Sequence, residues 1–199
     1  MLQVLLLSLL SGAVQFAGKR WVVQLPPQRL ENVFLSILSH KDWYHYANNA
    51  ALLVVAGGAY ELQSGGLSTQ AVFWVSAVTG VLSEATRNSE GGTLGMSAGT
   101  WGLFAAGVGY LALNWNEARH KTLYLLLLLL FLAANGVAYF VDGEGVAHIA
   151  HVAGGVSGIF VSGAVSVNRV VHPHELWVRL VSLALATFFL WYPVFLLSA

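Results

Sequence analysis

The chain has 199 residues, of which 57% are hydrophobic and 9% are charged, and its formal net charge is zero. A soluble globular domain carries about a quarter of charged residues because water must wet its surface, so this composition indicates a membrane protein. The few scattered Lys and Arg residues argue against nucleic-acid binding. The lack of cysteine excludes disulfides and thiolate metal sites.

Seven apolar stretches could form membrane-spanning helices, each of which needs about 20 residues. They cover residues 2–17, 44–60, 67–85, 95–113, 122–140, 146–166 and 177–197. The first is short, and its Ser11-Gly12-Ala13 would pass as a signal-peptide cleavage site. No Lys or Arg precedes the apolar run, however, so a membrane helix is the expectation. The sequence thus predicts an all-α, polytopic transmembrane bundle with no soluble domain.

The segment between the first two spans, Gly18–Asp42, is of mixed polarity and is neither a span nor a simple linker. It contains Lys19-Arg20, Trp21 and Pro26-Pro27. Because Trp is favoured at membrane–water interfaces, we expect this segment to lie at the interface. The later connections are short turns or small polar loops.

The distribution of cations does not orient the chain in the membrane. With a cytoplasmic N-terminus, the inside would hold four cations, namely Arg119, Lys121, Arg169 and Arg179. The outside would hold five, namely Lys19, Arg20, Arg29, Lys41 and Arg87. The positive-inside rule is therefore ambiguous here.

Two spans are rich in small residues, within Gly95–Gly107 and Ala147–Gly158. Small residues at helical spacing let helix backbones approach closely inside a membrane. We expect these two spans to form the packed interior of the bundle. The aliphatic and aromatic run Tyr124–Leu132 suits a helix that faces lipid instead.

Polar side chains inside spans are costly and are therefore candidates for function. The first group is His40, His45 and Asn49, at the entry of the second span. His45 and Asn49 are four residues apart and share one helix face. Alternatively, these are interfacial residues that hydrogen-bond to loops or water.

The second group is Gly95-Met96-Ser97-Ala98-Gly99, which opens the fourth span. A serine at a helix start lies near unpaired backbone N–H groups and the positive end of the helix dipole. Both would stabilise an oxyanion during acyl transfer. Serine is also common in membrane helices as packing material, so the motif alone does not decide between these readings.

The third group lies in the sixth span, where His148 and His151 are three residues apart and His151 is followed by Gly154 and Gly158. The glycines remove bulk where a neighbouring helix packs, which leaves His151 projecting into that contact. A helical zinc site would normally place two histidines four apart around a glutamate, with a third ligand. This spacing disfavours metal binding, and no cofactor is expected.

Together these groups resemble the rhomboid family of intramembrane serine proteases. The family pattern is H-x-x-x-N in the second span, G-x-S in the fourth and H-x-x-G-x-x-x-G in the sixth. This chain matches it, in that order, with His45 and Asn49, Gly95 and Ser97, then His151, Gly154 and Gly158. Glu61 and His40 also match family positions, and the resemblance covers about residues 30–165.

The resemblance implies a catalytic dyad without an aspartate. Ser97 would be the nucleophile and His151 the general base and acid. His45, Asn49 and the Ser97 backbone N–H would stabilise the oxyanion. The expected domain is one rhomboid-like unit over 1–199, with an additional C-terminal span at about 177–197. Ser97 would lie below the membrane surface in a water-filled cavity, and the substrates would be single-span membrane proteins.

Three positions depart from the family pattern. Ala98 follows the serine where glycine is usual, and Trp101 stands where an aromatic residue, often tyrosine, stacks on the catalytic histidine. The Trp-Arg pair of the first loop is replaced by Glu31-Asn32. His148 is a competing candidate for the base, although His151 fits the glycine pattern better.

Two other functions remain open on the sequence alone. A catalytically inactive rhomboid-like protein would bind membrane helices for trafficking or degradation. Such relatives usually lose the serine or the histidine, and both are present here. A channel or transporter could instead use the His and Asn residues as a polar pathway, and its activity would survive Ser97→Ala.

Overall fold

The computed structural model describes residues 1–18, 30–87, 93–118, 120–142, 147–165 and 175–198, and the statements below concern these residues. Several predicted features fall at least partly outside this part of the chain. They are the interfacial placement of Lys19-Arg20, Trp21 and Pro26-Pro27, the side assigned to Arg29, Arg119 and Arg169, and the loops at 86–94, 142–145 and 168–175.

The described residues fold into helices, as the sequence predicts. These are α1 (Leu2–Phe16), α2 (Leu30–Leu38), α3 (Trp43–Ser64), α4 (Gly66–Arg87), α5 (Ser97–Leu113), α6 (Lys121–Asp142), α7 (His148–Val165) and α8 (Glu175–Ser198). The seven predicted spans correspond to α1 and α3 to α8. The short helix α2 lies within the segment expected at the interface.

The chain is a multi-pass integral membrane protein. Three described helices are both long and apolar enough to cross a bilayer, and they lie at Gly66–Arg87, His148–Val165 and Leu176–Pro193. Two further apolar helices, Leu2–Phe16 and Lys121–Val137, are shorter than a full span. That seven helices cross the membrane stays a prediction.

Helices α4, α5 and α7 pack closely at glycine contacts. A Cβ on Gly154 would overlap the carbonyl of Ala98, and a Cβ on Gly158 would overlap the backbone of Gly102. Gly102 in turn meets the side chain of Ser76 on α4. The prediction that the two small-residue spans form the packed interior is therefore confirmed.

Helix α6 faces lipid on one side only. Leu126, Leu129 and Leu130 are more than half exposed, whereas Tyr124 and Phe131 are buried. The run Tyr124–Leu132, predicted to suit a lipid-facing helix, is thus two-sided, because its aromatic residues turn inwards to the bundle.

Candidate active site

The start of α5 is shaped by Gly95. Its φ of +113° lies in a region that favours glycine, and its N–H donates a hydrogen bond of 2.9 Å to the carbonyl of Ser36 at the end of α2. This turn lets α5 begin at Ser97. Ser97 therefore lies at a helix N-terminus, where backbone N–H groups have no partner within the helix and the dipole is positive.

Ser97 is in hydrogen-bond contact with His151, on the first turn of α7. Ser97 Oγ lies 2.9 Å from His151 Nε2, and both residues are half-buried. The contact joins residues 54 apart in sequence. It depends on the close packing of α5 against α7, where Gly154 meets the Ala98 backbone one residue after the serine.

The imidazole of His151 stacks on Trp101, one turn after Ser97. The ring centroids lie 5.6 Å apart and the planes make an angle of 25°. Trp101 is itself held by edge-to-face contacts with Phe104 at 5.6 Å and Phe131 at 5.2 Å. The tryptophan that departs from the family's usual tyrosine thus contacts the histidine in the expected manner.

His45 and Asn49 face the turn that precedes Ser97. A Cβ built on Gly95 would lie 3.2 Å from His45 Cε1 and 3.6 Å from Asn49 Nδ2. The Asn49 amide is buried, and its Nδ2 has no hydrogen-bond partner among the described residues. Asp42 fixes the start of α3 by accepting a hydrogen bond of 2.8 Å from the His45 N–H. The Asn49 amide and the His45 ring therefore lie against the turn that precedes Ser97.

His40 lies behind this group, in the connection between α2 and α3, and is completely buried. Its ring makes edge-to-face contacts with the rings of His45 and Tyr46, with centroid distances of 5.1 Å and 5.5 Å. Its Nδ1 lies 3.4 Å from the hydroxyl of Ser11, which donates to the Leu38 carbonyl. Burial, with a smaller effect of nearby His45, lowers the pKa of His40 to about 3. His40 is therefore a neutral support for the His45 ring.

The other predicted supporting residues divide between the site and the scaffold. His148 is exposed on the first turn of α7, and the contact with Ser97 goes to His151. Glu61 lies 16 residues after His45, about 24 Å along α3. There its carboxylate accepts hydrogen bonds from the N–H groups of Gln3 and Val4, which caps the start of α1. Glu61 thus holds α1 on α3 at the end of the bundle remote from Ser97.

Ala98, the residue that departs from the family pattern after the serine, packs against α4 at Gly80. A Cβ on Gly80 would lie 2.5 Å from the Ala98 methyl and 2.6 Å from the carbonyl oxygen of Ala150. Gly80 therefore leaves the space that the extra methyl occupies. A second glycine of α5, Gly99, lies against Phe73, which is on α4 like Gly80.

Glu84 on α4 contributes to the site, although the sequence patterns did not single it out. Its Oε2 accepts a hydrogen bond of 3.1 Å from the N–H of Ala150, one of the unpaired donors at the start of α7. The carboxylate thereby anchors the helix turn that carries His151. The available signal was the acidic residue itself, because a carboxylate near the end of an apolar span is costly unless it has a role.

No group of three His, Asp or Glu side chains within the described ranges is arranged to hold a metal ion. The arrangement is instead a serine and a histidine in contact, with a stacked aromatic ring and nearby amide and imidazole groups. Such an arrangement can perform nucleophilic acyl transfer.

Comparison with known proteins supports the resemblance to the rhomboid family. The family model described as "Rhomboid domain" matches residues 27–168, which is more than half of the chain. The chain belongs to the rhomboid family. The matched range includes His45, Asn49, Ser97 and His151.

A curated relative, "Rhomboid-related protein 1" of Caenorhabditis elegans, is 28% identical to this rhomboid chain over 156 residues. The similarity covers 75% of this chain and 44% of the relative. The chain therefore spans less than half of the relative's length.

Proposed function

We propose that this rhomboid chain is an intramembrane serine endopeptidase with Ser97 as nucleophile and His151 as general base. The observation that carries the proposal is the 2.9 Å contact between Ser97 Oγ and His151 Nε2. This distance lies within the range that a general base needs for proton transfer. Family membership supports the same chemistry, since rhomboids are generally intramembrane serine proteases.

In the first step, Ser97 Oγ attacks the carbonyl carbon of the scissile peptide bond while His151 Nε2 takes the hydroxyl proton. The carbonyl π electrons move to the oxygen, which becomes an oxyanion. The N–H of Ser97, the Asn49 amide and the His45 ring are the proposed donors to that oxyanion. The buried Asn49 Nδ2 fits this role because it has no hydrogen-bond partner in the described part of the protein.

In the second step, the C–N bond breaks and protonated His151 gives its proton to the leaving amine. The product is an acyl ester on Ser97. Water then attacks this ester with His151 again as base, which releases the carboxyl product and restores the serine hydroxyl. The Trp101 ring, stacked at 5.6 Å, would keep the imidazole aligned in place of the carboxylate of a triad.

The proposed substrates are single-span membrane proteins. Rhomboids act within the membrane on helical substrates, and an α-helix must open locally before a serine can reach a backbone carbonyl. Helices that contain Gly or Pro near the cleavage site open most readily, because these residues have the lowest helix propensity. The proposed unit is one domain over 1–199, with the family core at about 30–165 and a further span at about 177–197.

The test is cleavage of a purified transmembrane substrate by the reconstituted chain. We expect the wild type to cut the helix and Ser97→Ala to be inactive. The matched control is Ser64→Ala, whose hydroxyl donates a hydrogen bond of 2.9 Å to the Tyr60 carbonyl of its own helix. Full activity in Ser97→Ala would refute the proposal.

The same preparation separates the alternatives. An inactive rhomboid-like protein would bind the substrate helix without cutting it, and no labelling of Ser97 by a serine-directed phosphonate would occur. A channel or transporter would carry solute flux across the liposomes, unaffected by Ser97→Ala. Either result with pure, folded wild type contradicts the proposed protease.

A further inference from the structure

An apolar groove lies between α5 and α6, outside the candidate active site. Its volume is about 470 Å³, and its lining consists almost entirely of apolar side chains, among them Phe104, Val108, Leu125, Leu129 and Leu132. Several of these are exposed, Leu129 by 60% and Leu132 by 46%. The groove therefore opens sideways, towards the hydrocarbon of the bilayer.

The polar end of the groove carries a positive charge. Trp115 lines that end, and Lys121 Nζ lies 5.0 Å from the centre of its ring. The same Nζ donates a hydrogen bond of 3.3 Å to the Trp115 carbonyl, its one acceptor among the residues that the structure describes. An ammonium group has three donors, so it can bind a further acceptor. Tryptophan and lysine are typical of the headgroup level of a membrane.

The distance from Lys121 to the far end of the groove fits one leaflet. Lys121 and Leu132 are 11 residues apart on α6, or about 16 Å at the helical rise. The hydrocarbon core of a bilayer is about 30 Å thick, so one leaflet contributes about 15 Å. The groove thus runs from headgroup level to near the bilayer centre.

The shape of the groove suits a thin, flexible occupant. A chain of methylene groups can follow its space of about 470 Å³ and pack against the apolar walls.

We propose that this groove binds one acyl chain of an anionic phospholipid, with the phosphate at Lys121. The phosphate and headgroup charge complement the ammonium, and the apolar walls accept the chain. This inference does not depend on the proposed protease activity. Its deep end does contact the site indirectly, because Phe104 packs on Trp101 at 5.6 Å.

The test reconstitutes the full chain in phosphatidylcholine vesicles that contain phosphatidylglycerol, extracts it in mild detergent and counts retained lipids by native mass spectrometry. We expect the wild type to retain one phosphatidylglycerol. Leu129→Trp, which fills the groove, should retain at least tenfold less. Its matched control is Leu130→Trp, because Leu130 is similarly exposed on α6 but does not line the groove. That control should retain as much as the wild type.

Lys121→Gln should retain lipid but lose the preference for phosphatidylglycerol over phosphatidylcholine. Equal retention in the two tryptophan variants, no retention in the wild type, or a dimer mass in place of bound lipid would overturn the proposal.

A second measurement needs no groove-filling variant and decides the matter if Leu129→Trp fails to fold. Lipids brominated near the carboxyl end of the acyl chain quench nearby tryptophan fluorescence. The Trp115 signal, obtained as the difference between wild type and Trp115→Phe, should be quenched more by brominated phosphatidylglycerol than by brominated phosphatidylcholine. Lys121→Gln should remove that difference. Equal quenching by both lipids in the wild type refutes phosphate recognition at Lys121.

Discussion

Gly154→Ala should separate the two members of the proposed dyad. The added Cβ would lie 2.9 Å from the carbonyl carbon of Ala98 and closer still to its oxygen, whereas ordinary contacts are 3.4–4 Å. Relief requires α7 to move away from α5 by about 0.5–1 Å, because the obstacle is backbone and cannot rotate aside. The Ser97–His151 contact of 2.9 Å would then exceed the hydrogen-bond range of about 3.2 Å.

A misplacement of about 1 Å at a catalytic group can lower the rate about 100-fold. We therefore expect Gly154→Ala to cleave a reconstituted substrate about 100 times more slowly. Overpacking should also destabilise the fold by about 1–3 kcal/mol, partly offset by about 1 kcal/mol from the helix propensity of alanine. Cleavage rate and thermal unfolding in detergent measure the two effects separately.

The matched control is Gly155→Ala, one residue along the same helix. Its Cβ would lie 3.6 Å from the Ala105 methyl and 3.9 Å from the Trp101 carbonyl oxygen, which are ordinary contacts. The gain in helix propensity is the same and no clash opposes it, so this variant should keep near-wild-type activity and unfold at slightly higher free energy, by up to about 1 kcal/mol. Wild-type cleavage by Gly154→Ala, or equal losses in both variants, would refute the packing argument.

Three further predictions concern the residues around the dyad. Trp101→Ala should slow cleavage about 2–10-fold, because an aromatic contact contributes about 0.5–1.5 kcal/mol. Trp101→Phe should retain most activity. Equal cleavage rates in these two variants would contradict the stacking role of the ring. Glu84→Ala should lower the unfolding free energy by about 1 kcal/mol through loss of the α7 cap. Glu84→Gln keeps an acceptor oxygen, so its unfolding free energy should fall by less. Urea or thermal unfolding of the two variants measures this difference. The pKa of His40 is lowered to about 3 from 6.5. Above pH 6.5 the ring is neutral in both the folded and the unfolded chain, and its full contribution to stability is present. As the pH falls from 6.5 towards 3, the ring is protonated in the unfolded chain only, and that contribution is lost. Unfolding free energy should drop by about 2 kcal/mol between pH 7.5 and 5, from about 1.5 pH units at 1.36 kcal/mol each. His40→Phe should lack that part of the pH dependence, and an unchanged profile would contradict it.

The helices could be predicted because apolar length is a direct signal in a membrane protein. Six of the seven predicted spans begin and end within about three residues of the observed helices, since bilayer thickness sets the length of each run. The short helix α2 could not be predicted with the same rule, because nine residues are too few to span a bilayer. The sequence predicts only that the segment around α2 lies at the membrane interface, and this placement stays a prediction.

The partners within the site were predictable where a residue type and its spacing carry chemistry. Polar side chains stand out in apolar or glycine-rich helices, and this signal identifies His45, Asn49, Ser97 and His151. The fold brings these residues to one end of the bundle. The contact of Glu84 with Ala150 joins two helices whose relative height no periodicity specifies. Such a contact follows from tertiary packing and not from local sequence.

The fit between Gly80 and Ala98 was unpredictable for the same reason. The sequence displays an alanine where glycine is usual, but the glycine that accommodates it lies on another helix, 18 positions earlier. Ala98 departs from the family pattern in the sequence, but in the folded protein its methyl group packs against Gly80.

The most direct test of the central claim is the rate at which a serine-directed phosphonate labels Ser97. The proposed dyad predicts labelling at Ser97 in the wild type and a loss of about 100-fold or more in His151→Ala, because a positioned general base contributes at least that factor. His148→Ala, which removes the exposed neighbouring histidine, should label at close to the wild-type rate. Wild-type labelling in His151→Ala, or loss in His148→Ala alone, would contradict the assignment of His151 as the base.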